Sequence, residues 1–209
     1  GKKRLLDESG NRFEGKWEDT KLENIIHLLS GHAFKSSEFE KHTGFKLLRG
    51  MNISRGFLRW GSEQTFTWSD AEKYERYLLK INDIVVSMDG SLVGRNYALI
   101  QQKNFEPMLL VQRVARIRCK DTLSPTYLLQ HISSKRFESY VDSVKTVTAI
   151  PHISAKDIRE FRVPLASIEE QQKIATVLTN ADKEIELLEQ QLADLQQEKK
   201  ALMQVLLTG

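Results

Sequence analysis

Between Pro164 and Gly209 the chain contains neither proline nor glycine. These two residues are the strongest local breakers of a helix, so so long a stretch without them is free to form one uninterrupted helix. Ser167 is its expected N-cap. Glu169 and Glu170 fall in the first turn, where the helix dipole favours acids, and Glu170 stands at capping-box spacing from Ser167. The helix is predicted to run to about Leu207, which makes it about 60 Å long. Its apolar residues keep a seven-residue period. One column holds Leu178, Ile185, Leu192, Lys199 and Leu206; the other holds Ile174, Ala181, Leu188, Leu195 and Leu202. These are a and d positions over about five heptads, with charges between them. A long helix packed on its own domain is the alternative. A seam so long and narrow fits a two-helix coiled coil better, with Lys199 as a polar interruption that limits register.

The residues before Pro164 read as an α+β body. The expected division is therefore a β-rich domain over 1–165 and a long helix over 166–209, which suits a chain of 209 residues. Thr20 or Asp19 is placed as the cap of a short helix through Leu22, Ile25, Ile26 and Leu29, ending before Gly31. Strand-like runs follow at Phe45–Arg49, Phe57–Trp60, Ile84–Met88, Tyr97–Gln101 and Leu109–Arg118, with turns marked by Gly50, Gly56, Gly61, Gly90 and Gly94. In the last run Val111, Arg113 and Ala115 are expected on one face. Ser124-Pro125 opens a helix through Tyr127, Leu128, Ile132 and Phe137. Ser154 opens a short one over Ala155–Phe161 that leads into a strand at Arg162–Leu165.

Hydrophobic residues at 40% and charged residues at 28% argue against a disordered chain. No run of about 18 apolar residues is present, the N-terminal stretch lacks the apolar core of a signal peptide, and the single Cys119 has no internal disulfide partner. An intracellular setting is expected. Lys and Arg total 31 against 28 Asp and Glu, so a polyanion surface must come from segregation of charge. Residues 41–60 carry Lys41, Lys46, Arg49, Arg55 and Arg59 and no acid; residues 111–120 carry Arg113, Arg116, Arg118 and Lys120 and no acid.

Catalytic signatures are sparse. The chain has no phosphate loop, no dinucleotide glycine fingerprint and no Asn-Pro-Pro-Tyr-like run of amino-methyltransferases. Its five histidines, His27, His32, His42, His131 and His152, show no zinc spacing with one cysteine. The run Glu38-Phe39-Glu40-Lys41 sets acids close to a lysine, a combination metal-dependent nucleases use, but it lies in a polar, turn-like stretch. DNA-reading candidates are better as a set. Arg49, Gly50 and Asn52 fall at one strand end, and Gly94-Arg95-Asn96 follows the polar tip of the strand Ile84–Met88. Arginine can fork to guanine, Asn or Gln can pair with adenine, and Lys and Ser more often hold phosphates.

These residues carry a family resemblance. The chain resembles one half of the specificity subunit of type I restriction–modification systems: one target recognition domain followed by one conserved helical region. Gly15-Lys16-Trp17-Glu18 leads into Lys21–Ile25 and Ser30-Gly31. Leu79–Ser87 follows, with Asn82 where the family commonly has Gly. Ser124–Leu128, Ile150–Ser154 and Asp157-Ile158 come next. The most specific segment runs from Val163-Pro164-Leu165 through Glu170–Ala175 to Ala201–Gly209. The family usually has a second Pro before this Glu-Gln; here Ala166 and Ser167 stand nearby. Gly1–Leu5 looks like the basic continuation of such a helical region, so the chain is expected to be the second half of a longer subunit or a half-subunit.

The resemblance implies a non-catalytic, cytoplasmic subunit that binds specific double-stranded DNA and carries no cofactor of its own. Modification subunits would bring S-adenosylmethionine and the catalytic residues, and a restriction subunit would join them. A second half, or a second copy, would pair through the helix. The DNA face is expected on loops that follow the strands, with Ser30, Lys35, Lys46, Arg49, Arg55, Arg59, Ser87, Arg95, Asn96 and Arg113, and with Lys145 and His152 as additions. Arg95 and Asn96 are expected at bases, Lys35 and Lys46 at phosphates. A coiled-coil scaffold without DNA specificity is the alternative from another class.

Overall fold

The computed structural model describes residues 4–41, 43–103 and 105–207. Gly1–Lys3 of the basic start, His42, and the terminal Thr208 and Gly209 lie outside the described residues. In chain order the elements are β1 (Glu18–Lys21), α1 (Leu22–Ile25), β2 (Ile26–Ser30), β3 (Phe45–Leu48), β4 (Arg55–Gly56), β5 (Thr67–Trp68), β6 (Ile84–Ser87), β7 (Tyr97–Leu99), β8 (Met108–Leu110) and β9 (Val114–Cys119). Then come α2 (Pro125–Ile132), α3 (Lys135–Val144), α4 (Ala155–Glu160), β10 (Arg162–Leu165) and α5 (Ile168–Leu207). The fold is α+β: a β-rich body followed by one long C-terminal helix.

A five-stranded sheet in the order β2-β9-β6-β7-β4 organises the body, beside a three-stranded sheet β5-β3-β8 and the pair β1-β10. β6 is central and all four of its residues are buried. Alternation along it sends Ile84 and Val86 to a core built with α1, α2, α3 and α4, and Val85 to a core shared with Leu48, Leu110 and Val114. A strand covered on both faces reads as a continuous apolar run, which is why Ile84–Ser87 stands out in the sequence. β3 and β8 lie parallel, and Leu47 and Leu109 bury a third, smaller core with Phe34 and Val111.

Five sequence expectations need correction. Leu22–Leu29 is not one helix. A single turn, α1, gives way to β2, whose residues Ile26–Ser30 pair antiparallel with Ala115–Cys119 of β9. The ladder outweighs a helical periodicity that only four apolar residues support. Asp19 and Thr20 sit in β1 rather than capping α1, and Asp19 instead receives a hydrogen bond from Arg162. Leu109–Arg118 is not one strand. β8 and β9 belong to different sheets, and the chain turns between them at Arg113, which takes a left-handed φ of 69°. Phe57–Trp60 forms no strand, because the chain folds back at Gly56 with Leu58 bridging to Ile53. The helix from Ser124 to Phe137 is two helices. Ser134 interrupts it and caps α3 by accepting a hydrogen bond from the Phe137 amide.

The long helix starts as the sequence predicts. Ser167 Oγ accepts from the Glu170 amide at 3.3 Å. The Glu170 carboxylate does not reach back to complete a capping box; it is buried and takes Arg4 and Trp17 Nε1 as donors. Burial pushes this carboxyl up, and the Arg4 and Trp17 hydrogen bonds more than offset it, so Glu170 is held below the ordinary carboxylate range. Gln171 is fully buried: its Oε1 accepts from the Ser124 amide, and its Nε2 donates to Thr122 O and Ala166 O. Ala175 and Ile174 then join the main core. Beyond that point α5 leaves the body with its apolar column exposed: Leu178, Ile185, Leu188, Leu192, Leu195, Leu202 and Leu206 are each at least 41% accessible. No helix among the described residues is long and apolar enough to cross a membrane.

Candidate nucleic-acid interface

At one end of the two larger sheets the chain segments that leave β2, β3, β6 and β8 converge on an open cleft of about 570 Å³. Each segment delivers a polar group. The segment after β3 brings Arg49, Gly50 and Met51; the turn after β6 brings Ser87, Asp89, Ser91 and Leu92; the β8–β9 turn brings Gln112 and Arg113; and Arg59 and Asn96 close it.

The arginines are held rather than free to sweep. The Arg49 guanidinium lies over the rings of Phe39 and Phe66, 5.6 and 5.4 Å from their centroids. Asn52, fully buried, accepts from the Arg49 amide and so fixes the backbone that carries it. Arg59 donates Nε to Met51 O at 2.9 Å, which leaves the far side of its fork open. Arg113 stands exposed on the left-handed turn, its Nε 4.0 Å from the Asp89 carboxylate. Backbone bonds from the Met88 amide to Arg113 O and from the Gln112 amide to His32 O tie that turn to its neighbours.

Of the sequence candidates, Arg49, Arg59, Ser87, Asn96 and Arg113 meet in this cleft. Arg55, Arg95 and Lys145 meet elsewhere, around two carboxylates of α3. Arg55 and Lys135 pair with Glu138, whose side chain is only 8% exposed; Arg95 reaches Asp142 at 3.1 Å and Glu138 at 3.9 Å; and Lys145 reaches Asp142 at 2.6 Å. The Lys135 hydrogen bond above all, with Arg55 and Arg95 behind it, holds the Glu138 carboxyl below its ordinary range against the opposing effect of burial. Arg95 and Asn96 are thus neighbours that face different ways, one to α3 and one to the cleft. Gly94 makes this possible, because a Cβ there would lie 2.7 Å from Val141 of α3 and its φ is +75°.

The remaining candidates are scattered. Ser30 ends β2, exposed, opposite Ala115. Lys35 is exposed beside the cleft and paired with Glu38 at 3.2 Å. Lys46 pairs with Glu106 at 2.7 Å and lies 5.1 Å from the Trp60 ring, in a separate hollow with Phe57 and Phe105. His152 exchanges hydrogen bonds with Thr146, and its backbone bridges to Asp89 behind the cleft.

The basic segment 111–120 sends only Arg113 to the cleft. Arg118 forms a two-bond fork at 2.7 Å with buried Asp83, and buried Arg116 donates to Arg76 O, with burial pushing its guanidinium below its ordinary range. Both are structural. Sequence reasoning missed Gln112, Ser36 and Phe39 as lining residues. Gln112 was hidden because Leu109–Arg118 looked like one strand. The signal that could have exposed it is a Gln-Arg pair with no apolar partner at the middle of that run. No group of three His, Cys, Asp or Glu side chains able to hold a metal is found among the described residues.

The sequence from 14 to 197 matches the model of the type I restriction modification DNA specificity domain. The chain belongs to that family. Among its relatives, the type I restriction enzyme MjaVIII specificity subunit of Methanocaldococcus jannaschii is 29% identical over 92% of this chain and 46% of its own length. The EcoAI specificity subunit of Escherichia coli is 34% identical over 76% of this chain and 27% of its own. This specificity-domain chain therefore spans less than half the length of these relatives. In solved structures the same fold recurs. A chain from the work on complex assembly and conformational transition of the type I R-M system gives a TM-score of 0.73 at 17% identity, covering 96% of this chain and 47% of that one. The HsdS subunit from Thermoanaerobacter tengcongensis gives 0.68 at 19% identity, covering 95% and 46%.

Proposed function

We propose that the body over 1–165 recognises a specific double-stranded DNA sequence through the cleft, as the specificity component of a type I restriction–modification complex. One observation carries this: a specificity-domain chain gathers three arginines and two amides, Arg49, Arg59, Arg113, Asn96 and Gln112, from separate loops into one groove. Arginine forks match guanine, and the amides match adenine. Loops on a rigid sheet can vary those contacts without disturbing the core. Arg95, Arg55 and Lys145, with Lys35 and Lys46, serve the phosphate backbone instead. In the α3 cluster four cations, Arg55, Arg95, Lys135 and Lys145, outnumber the two carboxylates Glu138 and Asp142, which leaves positive charge facing outward beside the cleft.

In this reading the chain is not itself catalytic and works in the cytoplasm, where modification subunits methylate and a restriction subunit cuts. The helix over 166–209 pairs with the helix of another half or of a second copy. Its own layers favour an antiparallel partner. In a parallel pair Lys199 would meet its own copy across the seam. In the antiparallel register Leu178 faces Leu202, Ile185 faces Leu195, Leu188 faces Leu192, Ile174 faces Leu206, and Lys199 meets the small Ala181.

The test is selection of random-sequence duplex DNA by the purified chain, followed by binding to selected and scrambled duplexes across a salt series. A preferred sequence is expected, with affinity falling steeply as salt rises. Self-association of the chain without any sequence preference would favour the scaffold alternative.

A further inference from the structure

Asp89 is the one acid among the described residues that line the cleft. A carboxylate placed where a phosphate backbone must approach lowers affinity for every sequence alike, so its position calls for a compensating role. Its surroundings are built. Asp89 lies two residues beyond the end of β6; its carbonyl accepts from buried Ser87 Oγ at 3.2 Å, and its backbone bridges to His152. Gly50 keeps the space in front of it open, since a Cβ there would stand 3.0 Å from Ser87 Oγ and 3.6 Å from Asp89 Oδ1. The carboxylate itself faces Arg113 at 4.0 Å, beyond hydrogen-bond length. Its acceptor capacity is therefore left for something that enters the cleft.

An ionised carboxylate only accepts. On the major-groove edges of DNA, guanine and thymine present acceptors beside it, and adenine presents an acceptor next to its amine; cytosine alone presents a donor without one. The guanidinium of Arg113 has the opposite preference, for the two acceptors of guanine. Cytosine's amine and guanine's O6 are adjacent on the edge of one base pair. A donor fork and an acceptor held side by side at 4.0 Å match that edge. Resting on the recognition role argued above, we propose that Asp89 and Arg113 together read a single G·C pair. Asp89 accepts from the cytosine amine, and Arg113 forks to guanine.

The experiment is selection from a random-sequence duplex pool by the full 209-residue chain and by three variants, Asp89→Asn, Arg113→Lys and, as a control for loss of one surface acid, Asp121→Asn. Thermal melting confirms that each is folded. The parent is expected to demand G·C at one position. Asp89→Asn should relax that position by roughly ten-fold or more while binding scrambled duplex more tightly. Arg113→Lys should relax the same position, and Asp121→Asn no position. Two results overturn the inference alone: Asp89→Asn strengthening all duplexes equally with its preference intact, or the two cleft variants relaxing different positions. A parent chain that enriches no sequence overturns the recognition role itself, and this assignment with it.

Discussion

Residues within the acid-free basic segments divide by what surrounds them. Arg49 and Arg113 keep open guanidinium faces toward the cleft, whereas Arg118 is consumed by Asp83 and Arg116 by burial. Replacing Arg49 or Arg113 by Ala should cost about 1–3 kcal/mol of binding to the preferred duplex and relax one position. Lys35→Ala should weaken all duplexes alike and lower the salt slope by about one. Binding isotherms over a salt series separate the two behaviours. Arg118→Ala should act through stability instead, because it strands the buried Asp83 carboxylate, and should appear as a lower melting temperature. His131 makes a further residue-scale prediction. Burial above all, with Arg136 nearby, lowers its pKa to about 4 from 6.5. The unfolded chain therefore binds more protons between those values, and stability present above pH 6.5 is lost as pH falls toward 4. The loss is on the order of 3 kcal/mol for the full shift. His131→Gln should flatten this part of the stability profile in urea denaturation at pH 7 and pH 5.

Among the elements, α5 carries the clearest consequence. Its apolar column leaves the body exposed from Leu178 to Leu206, with nothing among the described residues covering it. A charge at Leu188 or Leu195 would be buried unpaired in a paired seam. Leu188→Asp should therefore convert an associated chain to a monomer by light scattering, and Lys183→Ala on the outer face should leave its mass unchanged. The flanking positions of the antiparallel register add a second expectation. For two copies they bring Glu184 beside Glu198 and Glu189 beside its own counterpart. Like charges repel and salt screens them, so self-association should tighten as ionic strength rises, and a partner helix with bases at those positions should pair more tightly than a second copy.

For the molecule as a whole, the first turns of α5 are what join the recognition body to the seam. Gln171 ties the helix to Thr122, Ser124 and Ala166. Gln171→Leu leaves a buried amide and two carbonyls without partners, and should destabilise the protein by about 2–4 kcal/mol in thermal or urea unfolding. A helix anchored this rigidly fixes the direction in which the body sits relative to any partner. Two copies paired about the seam would present two identical clefts, held apart by helices about 45 Å long beyond Val177. Their selected target should then be an inverted repeat with an unread spacer, and Leu188→Asp should reduce it to a single half-site.

The long helix, its cap at Ser167, its exposed apolar column, the buried strand β6 and the basic character of the body were legible in the sequence, because each depends on neighbours a few residues away: breaker-free length, capping spacing, heptad period and a continuous apolar run. The elements that misled were those whose state is set by distant partners. Ile26–Ser30 became a strand only because β9 offers a ladder, and Leu109–Arg118 split because its halves belong to different sheets. The same holds for the cleft. Sequence could name Arg49, Arg59, Asn96 and Arg113 as polar residues at strand ends. Only tertiary structure brought them together with Gln112 and Asp89, turned Arg95 and Arg55 toward α3, and spent Arg116 and Arg118 inside. Helical pattern is a local property of the backbone, whereas charge becomes function only through what the fold packs against it.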